Sequence, residues 1–134
     1  MNYKHLLEVI KENANRFTTK EAIFYKDEAA KSWKGISWTS FYHQIQQVSK
    51  ALINIGIKEQ DNIGVFAQNM TEWIIADLGI MGVRAVTIPI YATNSKKEAE
   101  YVVNDAKISV LFVGDQEEFD KVEEISENNK YLKL

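Results

Sequence analysis

Cysteine is absent from the 134 residues, so a disulfide framework, a thiolate nucleophile and a cysteine-held metal are all excluded. Proline occurs once and glycine six times, too sparsely for a linker or a low-complexity tract. Charge of one sign is also lacking: 16 basic and 19 acidic residues leave a net charge of −3, with no basic cluster. A nucleic-acid surface needs a concentrated positive field, so nucleic acid is not expected as a partner. Neither G-x-G-x-x-G nor G-x-x-x-x-G-K-[ST] occurs, and Gly64 stands alone inside an apolar run. Backbone amides approach phosphate closely only where glycines permit it, which counts against Rossmann-type, flavodoxin-like and P-loop nucleotide binders. G-x-S-x-G is missing too, and with it a hydrolase elbow. The apolar runs are far shorter than a bilayer span. Residues Met1 to Lys11 carry Lys4, Glu8 and Lys11, unlike a signal peptide. The expectation is a soluble, cytoplasmic protein with no transmembrane segment.

What is present is the composition of one ordinary domain, with 46% hydrophobic residues to build a core. Tyr3–Phe17 places Leu6, Leu7, Ile10, Ala14 and Phe17 on one side of a helix. Ala22–Tyr25 and Lys31–Ser37 read as a hairpin turning at Lys26, Asp27 and Glu28. A helix over Ser40–Ile55, capped by Thr39, carries the stripe Phe41, Ile45, Val48, Leu52 and Ile55 and ends at Gly56. The chain then alternates. Strands at Ile63–Ala67, Ala85–Ile90 and Ser109–Val113 are separated by helices that start at the capping boxes Asn69/Glu72 and Ser95/Glu98. A last helix, Glu117–Ser126, is expected to turn Phe119, Val122 and Ile125 inward.

Apolar strands separated by helices are the pattern of β-α-β crossovers and a parallel sheet, so the fold class is α/β: three buried strands, preceded by a helix and a hairpin. Two features suggest a unit that continues. The helix Met70–Met81 is apolar nearly all round, more than one layer covers. Tyr131–Leu134 alternates like the beginning of a strand, or is a frayed tail.

Candidate catalytic residues are few. His5 lies on the first helix and His43 falls among glutamines off the apolar stripe; neither has an evident partner, and a lone histidine is more often structural. The acidic group Asp115, Glu117, Glu118, Asp120, Glu123 and Glu124 suits a solvated helix face and its first turn better than a metal site. No catalytic and no metal-ligating residue is assigned.

In order, Gly35–Phe41 (G-I-S-W-T-S-F), Ala51–Val65 (A-L-I-N-I-G-I-K-E-Q-D-N-I-G-V), Gln68–Trp73 (Q-N-M-T-E-W) and Gly82–Tyr91 (G-V-R-A-V-T-I-P-I-Y) resemble the start of the acyl-activating, adenylate-forming ligases. The resemblance runs from about Leu6 to Val113. Gln60 stands where that family usually has glycine. Within it, Pro89-Ile90-Tyr91-Ala92-Thr93 is most similar to the long-chain fatty acyl-CoA synthetases. The resemblance implies that residues 1–134 are part of the N-terminal domain of an AMP-forming synthetase. Such a parent would use ATP, Mg2+ and CoA to turn a fatty acid into an acyl-adenylate and then a thioester. The family's phosphate loop and catalytic lysine have no counterpart in these residues, so the piece alone is expected to be inactive, with no cofactor bound and a tendency to self-associate. By the same resemblance Tyr91, Ala92 and Thr93 form a wall of the CoA nucleotide site, while Ser95 only caps a helix. The alternative reading is a self-contained α/β binding or interaction module without catalytic activity.

Overall fold

The computed structural model describes residues 5–27, 29–127 and 129–132. Helix α1 (Leu6–Phe17) leads into the antiparallel hairpin β1 (Glu21–Asp27) and β2 (Ser32–Ser37), followed by α2 (Trp38–Asn54). Then β3 (Asn62–Ala67), α3 (Thr71–Gly82), β4 (Val86–Tyr91), α4 (Lys96–Asp105), β5 (Val110–Val113) and α5 (Gln116–Ser126) alternate. The three later strands form a parallel sheet, as the alternating sequence predicts, in the order β4-β3-β5. Only β3 is buried, because β4 and β5 are edge strands of the described sheet and are half-buried or exposed along most of their length.

Each apolar residue of β3 has a helical layer to face. Phe66 packs with Ile90, Val103, Ile108, Val122 and Ile125 on the α4/α5 side, whereas Ile63 and Val65 meet Leu52, Ala76 and Ile80 on the α2/α3 side. A strand covered on both faces has no use for polar residues, hence its continuous apolar run. Pro89 lies within β4, an edge strand of the described sheet, where a missing N–H breaks no central ladder. A further cluster of Ile10, Phe41, Ile45, Ile75 and Leu78 joins α1, α2 and α3, with Ala22, Ile23 and Ile36 of the hairpin packed on it.

The end of α2 follows its sequence closely. Gly56 has φ +86°, its N–H bonds to the Ile53 carbonyl, and the Ile57 N–H reaches back to Leu52. That pair of bonds is the Schellman motif, and its left-handed residue suits glycine. Gln60, in place of the resembled family's glycine, also lies in the left-handed region at φ +67°. The turn before β3 therefore asks for glycine geometry whichever residue fills it.

Several local expectations are corrected. Ser37, not Thr39, caps α2: its Oγ accepts the Ser40 N–H at 3.2 Å, and the Thr39 hydroxyl instead donates to the Thr18 carbonyl at 3.1 Å. Lys26 and Asp27 stay in the ladder opposite Trp33 and Ser32. Asp27 holds the turn that follows by accepting the Ala30 N–H at 2.8 Å; Glu28 lies outside the described residues. Extended Met70 is the N-cap residue of α3, without a side-chain bond, so Asn69 sits one residue too early for its expected box with Glu72. On α5 the inward stripe is Glu118, Val122 and Ile125, and Phe119 is exposed. The capping box draws Glu118 back to the Asp115 N–H at 3.1 Å, so in the first turn the inward place beside Val122 and Ile125 goes to Glu118 and not to Phe119.

The apolar α3 is largely enclosed within the chain, because it is sandwiched between α2 and the sheet. Ile75, Ala76, Leu78, Gly79 and Ile80 are buried, and the large apolar side chains left exposed are Met70, just before the helix, and Ile74 in its first turn. Tyr131 and Leu132 form no strand; Leu132 packs on the α4/α5 core, and Lys133 and Leu134 lie outside the described residues. Tyr3, with which the first helix was expected to begin, lies outside them too. His5 caps that helix: its Nδ1 accepts the Leu7 N–H at 3.3 Å, and the Glu8 carboxylate takes the His5 N–H.

Candidate functional site

Parallel strands bring their carboxyl ends to one edge, and the segments that leave them are neighbours there. β3 ends at Ala67 and runs into Gln68 and Asn69; β4 ends at Tyr91 and turns through Ala92 and Thr93; β5 passes through Gly114 to Asp115. Ala67 and Tyr91 are partners in the ladder, and the Gly114 N–H bonds to the Phe66 carbonyl at 3.0 Å. Ligands of open α/β sheets gather at such an edge.

A cavity of about 680 Å³ opens there. Its floor is Pro89 and Ile90, its walls are Tyr91–Thr93 and Ala67–Asn69, and Trp73, Glu117 and Glu118 close it. Tyr91, Ala92 and Thr93, which the sequence singles out, thus lie together on one wall. Tyr91 is 79% exposed, so it is no part of the core. Ser95 is the cap it was expected to be: Glu98 accepts both its N–H and its hydroxyl at 2.8 Å, and these bonds lower the Glu98 pKa.

Sequence reasoning did not find the α5 side of the cavity. Asp115 caps α5, taking the Glu117 N–H at 2.9 Å and the Glu118 N–H at 3.3 Å through one oxygen. Its other oxygen accepts from the Gln68 amide at 3.3 Å, tying the β3 loop to α5. Glu118 is only 2% exposed; burial, then its hydrogen bond with Asp115, pushes its pKa up, and that bond holds Asp115 down. The D-x-x-E spacing was the available signal for this box. A run of acids reads as a solvated face, and that hid it. No group of three or more acidic or histidine side chains is placed to hold a metal among the described residues.

The cavity's chemistry is selective. Its walls carry no lysine or arginine and no glycine-rich loop, while two carboxylates face it, so these residues do not fit a triphosphate with magnesium. Flat Tyr91 and Trp73, with carboxylate and amide acceptors nearby, suit an aromatic base that donates hydrogen bonds. A second groove, of about 870 Å³, runs between the hairpin (Phe24, Tyr25, Trp33) and the start of α3, and Asn69 and Trp73 border both.

A parallel α/β layer with a cavity at its carboxyl edge is the arrangement in which ligands of open sheets commonly sit. The sequence profile described as AMP-binding enzyme matches residues 10–134, and the chain belongs to that family. It is 29% identical over 115 residues to the long-chain-fatty-acid–CoA ligase ACSBG2 of Mus musculus, covering 86% of this chain and 17% of that protein. It is 32% identical over 94 residues to FadD15 of Mycobacterium bovis, also a long-chain-fatty-acid–CoA ligase, covering 70% and 16%. The chain thus spans about a sixth of the length of these curated relatives. Among solved structures, the anthranilate CoA ligase AuaEII in complex with anthranoyl-AMP superposes with a TM-score of 0.85 at 24% identity, over 97% of this chain and 24% of that one. The N-terminal domain of FACL13 from Mycobacterium tuberculosis gives 0.81 at 16% identity, over 96% and 31%. These two likenesses establish the fold.

Proposed function

We propose that the whole protein is an AMP-forming fatty acyl-CoA synthetase, that residues 1–134 are part of its N-terminal domain, and that Tyr91, Ala92 and Thr93 wall the site of the CoA nucleotide. The observation that carries the site is the ring of Tyr91, exposed on the cavity at the end of β4. Family membership and the named activities of the relatives support the reaction: ATP activates a fatty acid as its adenylate, and CoA displaces AMP. Because the cavity suits a base and not a triphosphate, ATP and its Mg2+ are assigned to parts of the enzyme beyond these residues. The 134 residues alone are inactive in this reading. The alternative of a self-contained interaction module is not favoured, since the relatives are themselves ligases. A cytoplasmic location belongs to the same proposal and is read out by cell fractionation. So does self-association of the isolated chain, and the exposed rings of Phe24 and Trp33 on the hairpin support it.

The test of the site is Tyr91→Ala in the full-length enzyme. Stacking on an aromatic ring is worth about 1–3 kcal/mol per base, so the KM for CoA should rise about five-fold or more, with the KM for ATP unchanged. An unchanged CoA value in a folded enzyme removes this turn from the site.

A further inference from the structure

A ring as exposed as that of Tyr91 is held in place by its backbone and not by packing, so whatever anchors the turn decides where the ring stands. The Asn94 N–H closes the turn on the Tyr91 carbonyl at 2.8 Å. The Asn94 carbonyl then accepts from Nζ of Lys121, on α5, at 3.4 Å. Lys121 also donates to the Glu117 carboxylate, one helical turn back, at 2.8 Å. Its ammonium stands 5.7 Å from the centre of the Phe66 ring, at the carboxyl half of β3. The side chain is only 22% exposed, against 76% for Glu117. A surface lysine with no task beyond an exposed ion pair would spread into water, since such a pair holds it weakly. This one is folded in between α5, the β4 turn and β3. The helix it leaves is fixed in turn, because Val122 and Ile125 are buried in the α4/α5 core.

We propose that Lys121 is a positioning residue: it fastens the Tyr91–Asn94 turn to α5 and so sets the place of the Tyr91 ring on the cavity wall. The inference rests on the reading of that turn as part of the CoA nucleotide site. Lys121 is not among the residues that line the cavity, so its action on the ligand passes through the turn. Glu117 shares the ammonium with the turn, and its hydrogen bond raises the pKa of Lys121.

The experiment uses the full-length enzyme with Lys121→Met, Lys121→Arg, Tyr91→Ala and Lys96→Met. The last removes the ion pair between Lys96 and Glu124, which joins α4 to α5 without bonding to the turn. Lys121→Met should raise the KM for CoA about five-fold, the factor that corresponds to the typical net worth of one hydrogen bond, about 1 kcal/mol. The KM for ATP and for fatty acid should stay as in the wild type. Lys121→Arg should restore the CoA value, and Lys96→Met should leave it unchanged. If Tyr91→Ala raises the CoA value and Lys121→Met does not, the anchoring role is refuted and the site stands. Equal effects of Lys121→Met and Lys96→Met, or no rescue by arginine, reduce Lys121 to helix packing and also refute it. If neither Tyr91→Ala nor Lys121→Met moves the CoA value, the site itself is wrong and the anchor falls with it.

Discussion

Replacing Gly79 by alanine sets two effects of known sign against each other at the α2–α3 contact. Alanine in a helix interior is favoured over glycine by about 1 kcal/mol, so at an open position the change stabilises. At Gly79 the new Cβ would lie 2.4 Å from Cγ1 and 2.6 Å from Cβ of Val48, where carbon atoms normally keep about 3.5–4.0 Å. Rotating Val48 moves Cγ1 but leaves its Cβ where it is, so side-chain rotation cannot relieve the second contact. The helices must separate, and α3 is the layer that carries Trp73 to the cavity and packs Ile80 under β3. Overpacking of this kind costs about 1–3 kcal/mol, which outweighs the gain in propensity. Because the contact with the Val48 Cβ cannot be relieved by rotation, the cost falls in the upper part of that range, and Gly79→Ala should be destabilised by about 1–2 kcal/mol net. Urea unfolding followed by circular dichroism at one protein concentration measures it, with wild-type chain alongside. A variant as stable as the wild type would show that the α2–α3 interface is looser than described here, and would refute the reasoning.

Glu118→Gln should stabilise the chain at pH 7 and lose that advantage as pH falls through the usual glutamate range near ~4.3. Burial raises the folded pKa of Glu118, so its charge opposes folding once pH exceeds the unfolded value; glutamine keeps an acceptor for the Asp115 N–H without that charge. Urea midpoints at pH 7 and pH 4 test this, and an equal gain at both would sink it. The isolated 134-residue chain should self-associate through the hairpin face, where Phe24 is 63% and Trp33 71% exposed, each buried Å² contributing about 25 cal/mol. Sedimentation at rising concentration should show dimers or larger species that Phe24→Ser/Trp33→Ser abolishes; a monomeric wild type at high concentration contradicts it.

Much of the fold was legible because it is written in short-range chemistry. The stripe Phe41, Ile45, Val48 and Leu52, the glycine after α2 and the Ser95/Glu98 box each depend on spacings within one or two turns and came out as read. Ile55, expected to end that stripe, instead lies past the last helical residue and is exposed. The turn Tyr91–Thr93 could be singled out because it follows a strand and precedes a capped helix. The misreadings came where two local candidates competed. Ser37 and Thr39 can both cap a helix, and only the bond from Thr39 to Thr18, 21 residues back, shows why Thr39 is otherwise engaged. On α5, Phe119 looked inward by hydrophobicity, yet the Asp115 box buried the carboxylate of Glu118 instead.

The sequence by itself determined the class of fold, the alternation of strands and helices, and the exclusion of a glycine-loop phosphate site, since all of these follow from local pattern and from what is missing. The tertiary structure decided which distant groups meet. It enclosed α3 between α2 and the sheet, leaving the open apolar surface on the hairpin. It also set Gln68, Asp115 and Glu118 against the cavity of Tyr91, and brought Lys121 to the carbonyl of Asn94. Contacts between residues 27 or 47 positions apart depend on strand order and on the rotation of each helix about its axis. Both are settled by how whole layers pack, and no spacing along the chain encodes them.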